Sequence, residues 1–406
     1  MLKKLFFLSL ALCLLGTGTG LFCGPDEDDR PGKHYVFNLS LYYPISLNKT
    51  KNDTVNVNLG LLYSHVGTIK GLDICGLASA ASHRLEGLQI CGLFAVAGES
   101  GIGAQLSGLI SVAGESFTGL QISGLMNVDG EEGSVFQTSG LMNIIGENGN
   151  GFQVAGLGNV VGQDFKGVQV SAGFNVIGQK GNGVQIAGIF NVCGEDFKGF
   201  QAAGLFNVTG ENFHGVQTAV FNVAAESKGL QVGAANIAGQ CRGVQIGVVN
   251  YTKEENNGLP FGLVNLARNG HIGFSFLGGN SVAFTGGIKF SVNRVYSILS
   301  MGFFNLEENI NKSLTYGFHY GYVFPLGKLY LNTDLGYRYR DNTSLFKHTT
   351  QEPDQHMIEG RLLLDIPLSY KISLIFGGGL RVTNTTGDDT GFDSLSPLFV
   401  GGLEFH

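Results

Sequence analysis

The chain has 406 residues, of which 64 are glycine and 14% are charged, and it contains no tryptophan. The glycines follow no G-X-Y period and stand among 43% apolar residues, which excludes collagen and a disordered linker and favours an ordered, turn-rich all-β protein. A formal charge of -7 with no run of Lys or Arg leaves no electrostatic footprint for nucleic acid, so no such partner is expected.

Residues 1–20 place Lys3 and Lys4 ahead of an apolar stretch from Leu5 to Leu15 and end in small residues, the layout of a secretory signal cleaved near Gly20. That stretch is too short for a membrane-spanning helix. Residues 21–33 follow as a linker, where Phe22 before Cys23 is not the small residue that lipoprotein processing needs. Over residues 34–66 two segments alternate with period two. Tyr35, Phe37, Leu39, Leu41 and Tyr43 share one face, as do Val55, Val57, Leu59, Leu61 and Tyr63, and both segments are expected to be strands of an outer-membrane-type barrel.

From residue 71 to about 270 a unit of about sixteen residues repeats in thirteen copies, with the consensus G-[VL]-Q-[VI]-[AS]-G-L-[FM]-N-V-x-G-E-x-[FG]-x. Gln89, Gln105, Gln121, Gln137, Gln153, Gln169, Gln185, Gln201 and Gln217 stand sixteen apart, and Asp73 holds the same place one copy earlier. Asn127, Asn143, Asn159, Asn175, Asn191 and Asn207 each follow their glutamine by six residues, whereas Asn222, Asn236 and Asn250 follow theirs by five. Losing one residue from a straight strand would turn everything beyond it to the opposite face, so the chain must bend between Gln and Asn, at the Ala-Gly pair. Two short strands per copy, joined by such corners, imply a β-solenoid in which the Gln and Asn side chains form ladders and Val, Leu and Phe form a shared core. The alternative is that each copy is a strand of one large barrel, but antiparallel neighbours would require a thirty-two-residue repeat with two kinds of turn. Cys75 and Cys91 occupy one repeat position a copy apart. A parallel stack sets such positions about 4.8 Å apart, which leaves open either a disulfide or two buried thiols.

Beyond residue 271 strict alternation returns over longer runs, as in LTYGFHYGYVF at 314–324. Short turns at 291–294, 325–327 and 367–370 alternate with long polar loops at 306–312, 341–356 and 384–394, the pattern of an outer-membrane barrel with eight strands over 271–406. With the two earlier strands the expected total is ten. Asp334, Arg338, Arg340, Glu359, Arg361, Asp365 and Arg381 share the face opposite the apolar residues and are expected to fill the barrel interior as an ion-pair network. Counting strands back from a C-terminus in the periplasm brings the repeats to the short-turn side of the membrane.

The motifs GLQVGAANIAG, GVQIGVVNY and GLPFGLVNLARNGH resemble the GLQxGLxN repeats of a bacterial surface-repeat family found in spirochaetes and other diderm bacteria. The likeness covers about half the chain. It implies an outer-membrane or cell-surface setting and carries no activity, and the sixteen-residue copies depart from that family's shorter unit.

No G-x-S-x-G, H-E-x-x-H or P-loop is present, and neither a catalytic residue nor a cofactor is expected. His348 and His356 with Glu352 and Asp354 lie on a long polar loop and read as solvated side chains rather than metal ligands. The glutamates Glu99, Glu115, Glu147, Glu195 and Glu211 recur at the turns as solvated decoration. The expected function is a non-enzymatic outer-membrane or surface protein with a structural, adhesive or scaffolding role. Its surroundings would be outer-membrane lipid, with a host or envelope ligand unspecified. The alternative is a pore or transport protein whose repeats line or plug the barrel.

Overall fold

The computed structural model describes residues 32–280, 282–303, 314–341, 354–385 and 394–406. These residues contain β-strands and no helix. The chain divides into two compact units, Met1–Glu211 and Asn212–His406.

The first unit is a parallel β-solenoid. From Phe94 to Ala203 each coil carries a four-residue strand and a longer one of seven or eight residues, for example Phe190–Cys193 and Phe197–Ala203. Every residue pairs with its counterpart one copy away: Gln185 with Gln201, Asn175 with Asn191, Phe174 with Phe190. All these pairings are parallel, which excludes the large-barrel alternative for the repeats, because barrel strands joined by short turns must be antiparallel. A coil bends at Gly188–Ile189, at 194–196, and a third time inside the longer strand at Gly199, so that it has three sides.

Two glycines show why the repeat needs them. Gly183 has φ 134°, where a side chain is strained, and a Cβ there would lie 2.0 Å from the Gly167 carbonyl oxygen of the neighbouring coil. At the corner, a Cβ on Gly204 would lie 2.2 Å from the Gly188 oxygen. The backbones of successive coils approach too closely for any side chain at these places.

Residues 34–66 require a correction: they are not barrel strands. His34–Tyr42 pairs in parallel with the start of Thr54–Cys75, which runs on into the first repeat and pairs with Ala78–Cys91. The period-two pattern misleads here because a coil wall has the same alternation as a barrel wall. Phe37, Leu39 and Leu41 are exposed, while Asn38 and Ser40 are buried.

In the second unit the coils shorten. Gln217, Gln231 and Gln245 stand in register fourteen apart, and Asn222, Asn236, Asn250 and Asn265 remain aligned beside them. One residue has left the corner, and both ladder residues still point inward.

The chain then enters a closed antiparallel barrel of eight strands: Gly270–Gly279, Phe284–Val292, Val295–Phe303, Leu314–Leu326, Leu329–Asp341, Gln355–Pro367, Ile372–Thr385 and Ser394–Phe405. The first strand pairs with the last, Phe274 opposite Phe405, so the barrel closes with eight strands and not ten. The turns at 293–294, 327–328 and 368–371 lie at the end where Gly270 enters and Phe405 finishes. Much of the three expected long loops lies outside the described residues.

Gly204→Val is expected to cost more than about 2 kcal/mol, because either a carbonyl or the coil must move, whereas Lys198→Ala at an exposed position should stay within about 0.5 kcal/mol. Denaturant melting in detergent would compare the two variants. Equal effects would contradict the close coil approach.

Candidate functional site

The solenoid interior is polar along its Gln and Asn positions. Gln185 and Asn191 are 1% and 0% exposed, while Ile186 and Ile189 beside them are 41% and 46% exposed. The expected core of Val, Leu and Phe is therefore turned inside out. Apolar residues do reach the interior on the third side, where Phe117, Phe165 and Phe197 are buried, and at the end of the short strand, where Ile145, Val161 and Ile177 are buried. Elsewhere the flanking Val, Ile, Leu and Phe side chains form the outer skin.

The ladders explain how amides can fill this space. Each glutamine donates its Nε2 to the Oε1 one coil earlier: Gln169 to Gln153 at 2.8 Å, Gln185 to Gln169 at 2.9 Å, Gln201 to Gln185 at 2.7 Å. The asparagines run the other way, Asn159 donating to Asn175 at 2.8 Å and Asn175 to Asn191 at 2.9 Å. Each of these asparagines also donates to a carbonyl beside the next corner, Asn175 to Ile186 at 2.8 Å and Asn191 to Ala202 at 2.8 Å. Asparagine thus ties the two walls of the coil together and satisfies a carbonyl that the corner strips from the strand ladder. At the start of its ladder, Asn127 has a buried Oδ1 without a hydrogen-bond partner, since Ser111 stands one coil back.

Asp73 sits where two chains of donors converge. Gln89 Nε2 donates to its Oδ2 at 3.0 Å, closing the glutamine ladder, and Asn58, whose Oδ1 accepts from Asn38 Nδ2, donates its own Nδ2 to the Asp73 Oδ1 at 2.6 Å. An amide would bring an N–H against one of these donors, whereas a carboxylate accepts from both. Burial pushes the Asp73 carboxyl up to about 6 against the lowering effect of these hydrogen bonds. Asp129, accepting from Gln121 and Gln137, is likewise held well above the usual carboxylate range by burial.

Cys75 and Cys91 stand in register but are free thiols. In-register neighbours in a parallel sheet project side chains side by side, while a disulfide needs the Cβ atoms drawn to about 3.8 Å. The Cys75 thiol instead donates to the Ala78 carbonyl at 2.9 Å.

The barrel repeats the inverted polarity. Its outer wall carries exposed Phe274, Phe276, Ile288, Tyr337, Leu362 and Phe376, while Asp334, Arg338, Arg340, Glu359, Arg361 and Asp365 are buried in the lumen and Arg381 is half-buried there. Arg361 bonds Asp334 at 2.7 and 2.9 Å, and Arg338 meets Glu359 at 3.3 Å. Sequence reasoning missed several partners: Lys289 bonded to Glu404 at 2.8 Å, His319 to Glu359 at 3.0 Å, and the Tyr296 hydroxyl donating to Asp334 at 2.8 Å. Lys289 and Glu404 were readable in IKF and LEF, where a single charge alternates with apolar residues. Between Arg338, Glu359, Arg361 and Leu398 a cavity of about 20 Å³ remains, the space of about one water molecule.

On the solenoid's third side, coils with glycine in place of phenylalanine leave a shallow groove of about 370 Å³ lined by Ser134, Asn150, Lys166 and Asn182. The turn glutamates Glu99, Glu115, Glu147 and Glu211 are exposed. Of the loop cluster, His348 and Glu352 lie outside the described residues, and His356 and Asp354 bond the Tyr337 and Tyr339 hydroxyls. Among the described residues no group of three or more His, Cys, Asp or Glu side chains is placed to hold a metal ion.

The chain is thus an all-β protein with a parallel solenoid built on internal amide ladders and a closed barrel whose lumen is filled by charge pairs. No family model matches it, and no curated protein or solved structure is significantly similar to it.

The Asp73 carboxyl is raised from 3.8 to about 6 in the folded chain, so its contribution to stability is fully present below about pH 3.8 and is lost as pH rises through about 6. Relative to Asp73→Asn, the parent should lose about 2 kcal/mol between pH 4 and pH 7. Urea midpoints of both proteins across that window test this; parallel profiles would contradict it.

Proposed function

We propose that this chain is a non-enzymatic outer-membrane protein in which the eight-stranded barrel is an anchor and the solenoid is a structural scaffold. The observation that carries this reading is the inverted barrel, apolar on its outer wall and charged within, the arrangement that a lipid surround favours and water does not. The resemblance to a surface-repeat family of diderm bacteria and the signal-like residues 1–20 point to the same setting. The charge pairs across the lumen favour an anchor over a pore.

Short turns in such barrels face the periplasm. Because the chain enters at the short-turn end, the coils of the second unit lead into the barrel from the periplasmic side.

In cells the protein should fractionate with outer membranes, and once purified it should migrate differently on gels before and after boiling and give no steady openings in planar bilayers. Recovery in the soluble periplasm would overturn the anchor, and large steady conductance would overturn the sealed lumen.

A further inference from the structure

The solenoid of the first unit has a surface that the anchor reading leaves unused. Two of its three sides are apolar along their whole length. In every coil from Gln89 to Asn207 the residues flanking the inward Gln and those flanking the inward Asn position carry no charge, and the one hydroxyl among them is Thr138. Where these sides meet, the corner residue is leucine or isoleucine in all but one coil, and Leu125, Leu141, Leu157, Ile189 and Leu205 are 37%, 45%, 44%, 46% and 46% exposed. These residues form a ridge. The outward charges gather on the opposite side, at Lys166, Lys180 and Lys198, and at the turn that borders it, at Glu99, Glu115, Glu147 and Glu211.

From this distribution we propose that the solenoid is itself a lipid-binding element, its leucine ridge and two flanking sides seated among the acyl chains of one leaflet with its third side in water. This rests on the outer-membrane reading of the barrel.

Three observations select lipid as the occupant. First, the ridge leaves its backbone satisfied, as a hydrocarbon surround demands: the amides of Leu125, Leu141, Leu157 and Ile189 donate to the carbonyls of Leu109, Leu125, Leu141 and Gly173 at 2.8, 2.9, 2.9 and 2.8 Å. Second, polar groups have been drawn inside and paired in ladders, while the apolar groups that would ordinarily fill a core stand outside, the partition expected when the surroundings are less polar than the interior. Third, within the second unit the equivalent ridge runs directly into the barrel's outer wall. Val248 and Leu263 are 51% and 37% exposed, the Phe261 ring lies 5.0 Å from that of Tyr320, and the Tyr320 hydroxyl donates to the Pro260 carbonyl at 3.0 Å. There, coil and barrel present one apolar surface. A protein partner would find no unique register on a face that repeats about every 4.8 Å, whereas acyl chains need none.

The absence of tryptophan from the sequence makes a clean test possible. Single tryptophans are introduced in the full chain as Phe190→Trp beside the ridge, Lys198→Trp on the third side and Phe376→Trp on the barrel wall. Each variant is checked for heat-modifiable migration and reconstituted into phosphatidylcholine vesicles with brominated acyl chains. Phe190→Trp and Phe376→Trp should lose most of their fluorescence, and Lys198→Trp should keep its own and be quenched by aqueous iodide instead. Quenching at Phe376→Trp without quenching at Phe190→Trp would overturn the lipid-seated solenoid and leave the anchor standing. If that Phe190→Trp were also protected from iodide, a second copy or another protein covers the ridge. Quenching by lipid at neither Phe190→Trp nor Phe376→Trp would overturn both readings, and equal quenching at Phe190→Trp and Lys198→Trp would overturn the one-sided seat.

Discussion

Hydrogen bonding between side-chain amides inside the coils is the constraint from which the rest of the solenoid follows. A primary amide has donors at one end and an acceptor at the other, so a column of them at strand spacing is satisfied only if every member points the same way and sits at the same height. That demand fixes the register residue by residue, keeps the coils parallel, and forces glycine wherever one backbone must come within reach of the next. It also fixes the ends. The glutamine column donates toward the N-terminal coils and has to finish on an acceptor, which is why the repeat position at 73 holds an aspartate and not another amide.

Coil and barrel use one solution to two different problems. In both, the polar side chains face inward and pair with one another, and the backbone is hydrogen-bonded strand to strand. The pairing differs in kind: the coils use columns of neutral amides, while the barrel uses Arg361 with Asp334, Arg338 with Glu359 and Lys289 with Glu404 across a closed ring. A buried charge needs a specific partner, whereas an amide ladder accepts another copy of itself at either end. The repeated part can therefore vary in coil number while the barrel cannot.

The architecture was largely legible in the sequence. Sixteen-residue spacing of glutamine and asparagine, the corner deduced from the five-residue Gln–Asn copies, and the short turns of the barrel all have direct structural counterparts. What the sequence concealed was which face is inside. Period-two alternation states that two faces differ and is silent on which one meets the core, and the rule of water-soluble proteins turns Val, Ile and Leu inward. The same ambiguity made residues 34–66 look like barrel strands, since Phe37 and Leu39 alternate with Asn38 and Ser40 in a coil wall as they would in a barrel wall. The pairings of Lys289 with Glu404 and of His319 with Glu359 were hidden for another reason: a lone charge marks the inward face of its strand, but its partner lies on a strand that is not its hydrogen-bonded neighbour.

Replacing a ladder glutamine with leucine decides most directly between a polar and an apolar interior. Gln169 accepts from Gln185 and donates to Gln153, so Gln169→Leu strands one donor and one acceptor in a buried column. At about 1–3 kcal/mol for each stranded group, denaturant titration of the full chain in lipid–detergent micelles should show a loss of roughly 2–6 kcal/mol. Unchanged or increased stability would mean that the coil interior welcomes an apolar side chain, and it would contradict the account at its root.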